Sequence, residues 1–232
     1  MRSNFDRQLE NLNNELIIMG SMCEEVIAAS VQAALGYTDA GNGSAADSAE
    51  LCRRVFRVDA EIDRKEREIE NLCMSLLLRQ QPVARDLRIV SSALKMISDM
   101  ERIGDQASDI AELSKHIKES QLEHRLHLLQ MARETIKMVT DSVESFVKKD
   151  IDGARAVIAY DDVVDGLFDE VKKELIGLVS SDGKNAELYM DLFMVAKYFE
   201  RIGDHATNIA QWVEYSITGV HPDIDTFYTD LT

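Results

Sequence analysis

Three features of the sequence predict an all-α protein made of two repeated antiparallel three-helix bundles with pseudo-two-fold symmetry. Apolar residues recur at spacings of three and four along nearly the whole 232-residue chain, the pattern of amphipathic helices. The residues that break helices are scarce, with 2 prolines and 11 glycines, while Leu, Ile, Met, Ala, Glu and Lys are plentiful. An eleven-residue string, Glu101 to Ala111, returns as Glu200 to Ala210, offset by 99 residues.

The elements follow in order. A first helix is predicted from near Ser3 to Tyr37, stopped by the turn-forming run Asp39-Ala40-Gly41-Asn42-Gly43-Ser44. The second spans about Ala45 to Arg79 and ends at Gln80-Gln81-Pro82. Proline is tolerated where a helix opens, because its missing N–H would be unpaired there, so the third is placed from about Val83 to His116. Three more cover about Leu122 to Lys149, Ile151 to Val179 and Lys184 to Thr218, with Ser180-Ser181-Asp182-Gly183 as the second hairpin turn. Helices of roughly 25 to 35 residues joined by short turns pack as antiparallel bundles. An earlier echo, Val58-Asp59-Ala60-Glu61-Ile62-Asp63 against Tyr160-Asp161-Asp162-Val163-Val164-Asp165, supports internal duplication. Residues 1–118 are therefore assigned to the first bundle, 119–219 to the second and 220–232 to a polar tail, with the Gly41 loop as an insertion peculiar to the first half.

Charge and cysteine content narrow the function. Lys and Arg total 26 against 42 Asp and Glu, a formal net charge of −16 that repels phosphate backbones and argues against nucleic-acid binding. Such a surface suits cations, basic partners or plain solubility. Cys23, Cys52 and Cys73 show no CxxC spacing and are odd in number, which fits a reducing compartment. The start, Met1-Arg2-Ser3-Asn4-Phe5-Asp6-Arg7, lacks the apolar run of a signal peptide, and no stretch reads as the ~20 apolar residues that span a bilayer. The expectation is a soluble, cytoplasmic protein without membrane insertion.

The duplicated string carries a stripe of acids. At ~100° per residue, Glu101, Asp105 and Asp109 lie within ~80° of one another, as do Glu200, Asp204 and Asn208. Met100, Ile103, Ala107 and Ile110 centre on another face, so the acids flank the core. Gly104 and Gly203 sit mid-helix, where each costs ~1 kcal/mol against alanine, and point to a close helix approach. With hairpins turning near Gln81 and Asp182, Asp59 and Asp63 come level with Glu101 and Asp105, and Asp161 and Asp165 with Glu200 and Asp204. Carboxylates so close must either protonate or share a cation. Oxygen ligands favour magnesium, manganese or calcium, bridging carboxylates suit iron, and a nitrogen from His205 would shift preference toward iron or zinc. The plainer reading is a solvated helix face, with Arg102 and Arg201 paired to nearby acids, His205 solvated or capping, and Met96, Met100, Met190 and Met194 at core spacing.

The two Glu-Arg-Ile-Gly-Asp strings, ending in Asp109-Ile110-Ala111 and Asn208-Ile209-Ala210, resemble the PhoU family of phosphate-uptake regulators. Gln81-Pro82-Val83-Ala84-Arg85-Asp86-Leu87-Arg88 and the opening Phe5, Leu9, Leu12 and Met19-Gly20 extend the likeness over about Phe5 to Ser216. The resemblance implies two three-helix bundles and multinuclear metal sites on Glu101, Asp105 and Asp109 and on Glu200, Asp204 and Asn208. It also implies a non-enzymatic cytoplasmic negative regulator, forming homodimers or larger assemblies. Its partners would be the ATPase subunit of a phosphate ABC transporter and a sensor histidine kinase. Gln211 stands where many relatives carry an acid, whereas the first half keeps Glu112, so the first site is expected to bind metal more tightly. The alternatives are a helical interaction module for another membrane transporter, and a metal-dependent phosphohydrolase. A di-iron oxidase would need Glu-x-x-His pairs and a phosphohydrolase groups that hold phosphate; the sequence has no Glu-x-x-His and no glycine-rich phosphate loop.

Overall fold

A computed structural model describes residues 2–36, 48–117, 126–181 and 183–222. Six long helices carry the fold: α1 (Arg2–Leu35), α2 (Ser48–Gln80), α3 (Arg85–Leu113), α4 (Leu126–Lys148), α5 (Ile151–Ser181) and α6 (Ala186–Thr218), the last preceded by a 3-10 turn at Gly183–Asn185. The expected insertion around Gly41, the start of the fourth helix at Leu122 and the tail beyond Pro222 lie outside the described residues. Pro82 does not open α3, as the sequence suggested, but lies in the connection before it.

Local chemistry explains the tightest connection. Asp150 accepts hydrogen bonds on Oδ1 from the backbone N–H groups of Asp152 and Gly153, at 3.1 and 3.0 Å, and so caps the first turn of α5. Lys149 takes a φ of 55° to end α4 one residue earlier. Two residues therefore suffice to reverse the chain. At the far end of α6, Gly219 adopts φ 83° and returns its N–H to the Tyr215 carbonyl.

The helices of each repeat pack on one another, and the repeats join through α3 on α6 and α1 on α4. The outer helices α2 and α5 thus lie on the flanks of a central group formed by α1, α3, α4 and α6. On α2 the buried face reads Val55, Val58, Ile62, Ile69, Cys73 and Leu76, a run of spacings that keeps one stripe inward. Phe199, Leu12, Leu16, Met19, Ile27, Met96 and Met100 are among the largest fully enclosed side chains of a single core shared by both repeats. Met190 and Met194 depart from the expected core spacing: they are 56% and 37% exposed, on the outer side of α6. The segment Phe5–Leu35 of α1 is long and apolar enough to cross a bilayer by composition, contrary to the sequence reading. Half of it is buried inside the protein, where Leu12, Leu16, Met19 and Cys23 are fully enclosed, as befits a core helix.

The two mid-helix glycines differ. A Cβ at Gly104 would stand 2.6 Å from Asp59 Oδ1 and 3.3 Å from Ile62 Cδ1, so α2 approaches α3 only because this side chain is missing. At Gly203 the nearest atoms, Asp161 Oδ1 and Val164 Cγ1, stand at an ordinary 3.5 Å. Gly203→Ala should therefore stabilise the fold by up to ~1 kcal/mol through helix propensity. Gly104→Ala should lose that gain and destabilise by a similar amount, because the carboxylate must move. Urea midpoints of the two variants, compared with wild type, test the difference.

Candidate metal centres on the outer helices

The first acidic cluster lies between α2 and α3. Ser108 Oγ donates to Asp59 Oδ2 at 2.8 Å, and Ser98 Oγ donates to Glu66 Oε1 at 3.2 Å, fixing the register of the hairpin. That register brings Asp59 and Asp63 level with Glu101 and Asp105. Burial raises the Asp59 carboxyl above its ordinary range, the Ser108 hydroxyl opposes this, and Asp105, Asp63 and Asp109 push it further up. Glu101 is raised by burial and by Asp105, with Arg102 pulling the other way and Glu66 and Asp63 adding to the rise. Arg102 Nη1 donates to Asp105 Oδ2 at 2.8 Å and its Nε stands 3.4 Å from Glu101, the ion pairs expected of it. Asp59 Oδ1 is buried without a hydrogen-bond partner.

The second cluster repeats this between α5 and α6. Burial, then Asp165 and Asp204, push Asp161 up to about 6. Asp165 is raised by burial and Glu200, and Asp204 by burial and Glu200 with Lys197 opposing. Lys197 Nζ donates to Glu200 Oε1 at 2.6 Å, taking the part that Arg102 plays in the first repeat. Thr207 stands where Ser108 does; its hydroxyl lowers Asp161 somewhat, yet Oγ1 is buried and closes no hydrogen bond of ordinary length.

The third position of each stripe turns elsewhere. Asn208 Nδ2 donates to Asp99 Oδ1 at 3.1 Å, across the contact between α6 and α3, and His205 Nδ1 meets the same oxygen at 2.9 Å. Asp109 interacts with the Tyr198 phenol and lies in the field of Arg201. Adding the repeat offset of 99 turns Asp99 into Tyr198 and Asp109 into Asn208, so these two contacts are equivalent under the internal symmetry. His205 is thus neither solvated nor a cap. The hydroxyls Ser108 and Thr207 were within reach of sequence reading, since both fall inside the repeated string. Asp99 and Tyr198 lie just before it and share no chemistry that would have matched them.

Eight of the ten acids and amides singled out from the sequence therefore gather in two clusters, and Asp109 and Asn208 face the seam between repeats. Among the described residues no three His, Cys, Asp or Glu side chains converge closely enough to form a ready chelate. Arg102 and Lys197 occupy part of the coordination space. The donor chemistry nevertheless fits a hard cation: oxygen-only, over-charged and with one buried carboxylate oxygen unpaired.

The raised carboxyls set the pH dependence of the metal-free protein. A carboxyl whose pKa is higher in the folded than in the unfolded state binds protons preferentially in the fold, so stability rises as pH falls. For Asp161 that rise runs from above pH 6 down toward 3.8. Its full shift would be worth ~3 kcal/mol, reduced to about 1 kcal/mol for a half-exposed group. Chelator-treated protein should melt higher at pH 5.5 than at pH 7.5, and Asp161→Asn should flatten that difference; thermal melts at both pH values measure it.

Comparison with known proteins adds the identity. A PhoU-domain profile matches residues 16–114 and again 128–213, one match for each repeat. The phosphate-specific transport system accessory protein PhoU homolog of Clostridium acetobutylicum is 34% identical over 97% of this chain and 99% of its own. That of Pseudomonas aeruginosa is 32% identical over 93% and 86%. The crystal structure of PhoU from Pseudomonas aeruginosa superposes with a TM-score of 0.83 at 31% identity, over 93% of this chain and all of that one. The phosphate transport system regulatory protein PhoU from Streptococcus pneumoniae gives 0.80 at 26% identity, over 94% and 98%. These relatives are accessory and regulatory proteins and not enzymes. Two tandem PhoU domains, the matching six-helix architecture and full-length likeness to accessory proteins of phosphate transport make this chain a member of the PhoU family.

Proposed function

We propose that the chain is a cytoplasmic negative regulator of phosphate uptake, coupling the ATPase subunit of a phosphate ABC transporter to a sensor histidine kinase and reaching the membrane only through those partners. Its two acidic clusters hold divalent or multinuclear metal, iron, zinc, manganese or magnesium. The observation that carries the metal reading is the duplicated gathering of carboxyls raised by burial and by one another, with Asp59 Oδ1 buried and unpaired. A bound cation would neutralise that charge and give the orphaned oxygen a partner. Asp59, Asp63, Glu101 and Asp105 would hold it in the first repeat, and Asp161, Asp165, Glu200 and Asp204 in the second. Arg102 and Lys197 would give up their present carboxylates on loading.

A second reading has its own support. Arg102 on Asp105 and Lys197 on Glu200 already neutralise part of each cluster, as a metal-free helical interaction module would arrange. Elemental analysis of purified protein separates the two. Bound metal that falls in Asp105→Ala/Asp204→Ala supports metal centres; protein without metal after reconstitution selects the interaction module. The first site should be the tighter, because Glu112 adds an acid where Gln211 replaces one in the second half. Asp105→Ala should thus remove more metal than Asp204→Ala in a chelator titration, and equal losses refute the ranking. The regulatory role is read in the source organism: deleting the gene should turn on phosphate-starvation genes in phosphate-replete medium, and unchanged expression rejects it.

A further inference from the structure

Both hairpin tips expose apolar side chains, but they differ in charge and in backbone. At the α2–α3 tip, Leu78 and Val83 are each 74% exposed and Leu87 is 44% exposed. The register fixed by Ser108 on Asp59 and Ser98 on Glu66 sets Leu78 level with Leu87, with Val83 in the connection between them. Exposed Arg79 and Arg85 flank this apolar surface, and neither makes an ion pair with the described residues. Residues 78–88 contain three arginines and one aspartate, a local charge of +2 on a chain whose total is −16. At the other tip, residues 176–190 set Lys184 against Asp182 and Glu187, a charge of −1 beside exposed Ile176 and Met190.

The first tip is also strained. Gln81 takes φ 45° and Ala84 takes φ 48° with ψ −115°, a region where a side chain is disfavoured. Residues so held cost on the order of 1–3 kcal/mol each, and they fix the apex in one shape. Among the described residues the α5–α6 connection has no non-glycine residue with positive φ. Arg88, packed against Gly219 at the end of α6, ties the start of α3 to the second repeat.

We propose that the α2–α3 tip is a docking surface for a protein that presents an apolar depression edged by carboxylates. This inference rests on the accessory reading above and assigns that partner to the ATPase subunit of the transporter. Leu78, Val83 and Leu87 supply the apolar contact, and Arg79 and Arg85 pair with the partner's carboxylates, which guanidinium groups grip through two bonds. A preformed apex loses little freedom on binding. The complement is acidic, and the rest of this chain is acidic as well, so the tip is where such a partner can approach without repulsion. An anionic lipid surface offers charge for the arginines but repels a body of −16.

The test is binding of the purified full-length chain to the purified ATPase subunit from the same organism, by biolayer interferometry at low and high salt. Val83→Asp/Leu87→Asp should weaken binding by about 30-fold or more, as loss of a buried apolar anchor does. Arg79→Glu/Arg85→Glu should weaken it by about 10-fold and abolish its salt dependence. Ile176→Asp/Met190→Asp at the other tip should stay within about twofold of wild type, and melting temperatures should show that all three variants fold. Tip variants that bind as wild type does overturn the docking surface and leave the regulatory reading intact. No binding by the wild type overturns the partner assignment and the regulatory reading's ATPase link together. Tip-dependent binding to phosphatidylcholine–phosphatidylglycerol vesicles, or tip-dependent self-association, without tip-dependent ATPase binding also overturns it.

Discussion

The structure depends first on the antiparallel contact of α3 with α6. Together with α1 on α4 this contact makes one core from two repeats, while α2 and α5 pack against helices of their own halves. It is polar at both ends: Asp99 meets Asn208 and His205 at one, and Asp109 meets Tyr198 at the other. Because the two contacts are exchanged by the repeat offset, they define a two-fold axis passing near Gly104 and Gly203. An antiparallel crossing about such an axis sends the two hairpin tips to opposite ends of the molecule. It also keeps the acidic clusters apart, each on the flank between an inner and an outer helix.

Placing four carboxylates on a helix–helix flank is costly, and the molecule shows several local remedies. Ser108 gives Asp59 a hydrogen bond, Arg102 bridges Glu101 and Asp105, and Lys197 holds Glu200. These remedies leave a residue of unfavourable charge, visible in the raised carboxyls of both clusters. The absence of a side chain at Gly104 is part of the same arrangement, because it lets the Asp59 carboxylate lie against α3. Helix propensity alone would favour alanine there. A carboxylate pressed against a bare helix backbone, with one oxygen unpaired, costs stability in the metal-free fold.

Most of this was legible in the sequence because it rests on periodicity. The six helices, the duplication and the level of Asp59 and Asp63 beside Glu101 and Asp105 all follow from spacing, which a rigid helix converts directly into position. What was not legible depends on rotation about the helix axis. Asp109 and Asn208 lie on the expected stripe, yet a modest angular offset is enough to carry them to the seam between repeats. Met190 and Met194 have core spacing, but the repeat offset matches them to Ser91 and exposed Lys95 on α3, whereas Met96 and Met100 match buried Val195 and Phe199, so the same spacing leaves them at the surface. Pro82 failed as a helix start because Ala84 leaves helical φ and ψ just after it. A turn built from non-glycine residues with positive φ gives no compositional signal.

That turn separates the two repeats more clearly than the acids do. Both halves carry a stripe, a glycine and a hydroxyl at matching places, whereas among the described residues only the first carries a strained, cationic, apolar apex. The apex and the first acidic cluster share one helix: Asp63 and Leu78 are 15 residues apart on α2, about 22 Å along its axis. At that distance direct contact between the two surfaces is excluded, and substitutions at one should add to substitutions at the other without interaction unless α2 moves as a body. Its buried face of Val55, Val58, Ile62, Ile69, Cys73 and Leu76 ties it to α1 and α3 along nearly its full length. Movement would therefore have to engage the whole first repeat. Charge in the stripe and docking at the apex are then either independent properties or are coupled through that repeat as a unit, and non-additive effects between the two sets of variants distinguish these cases.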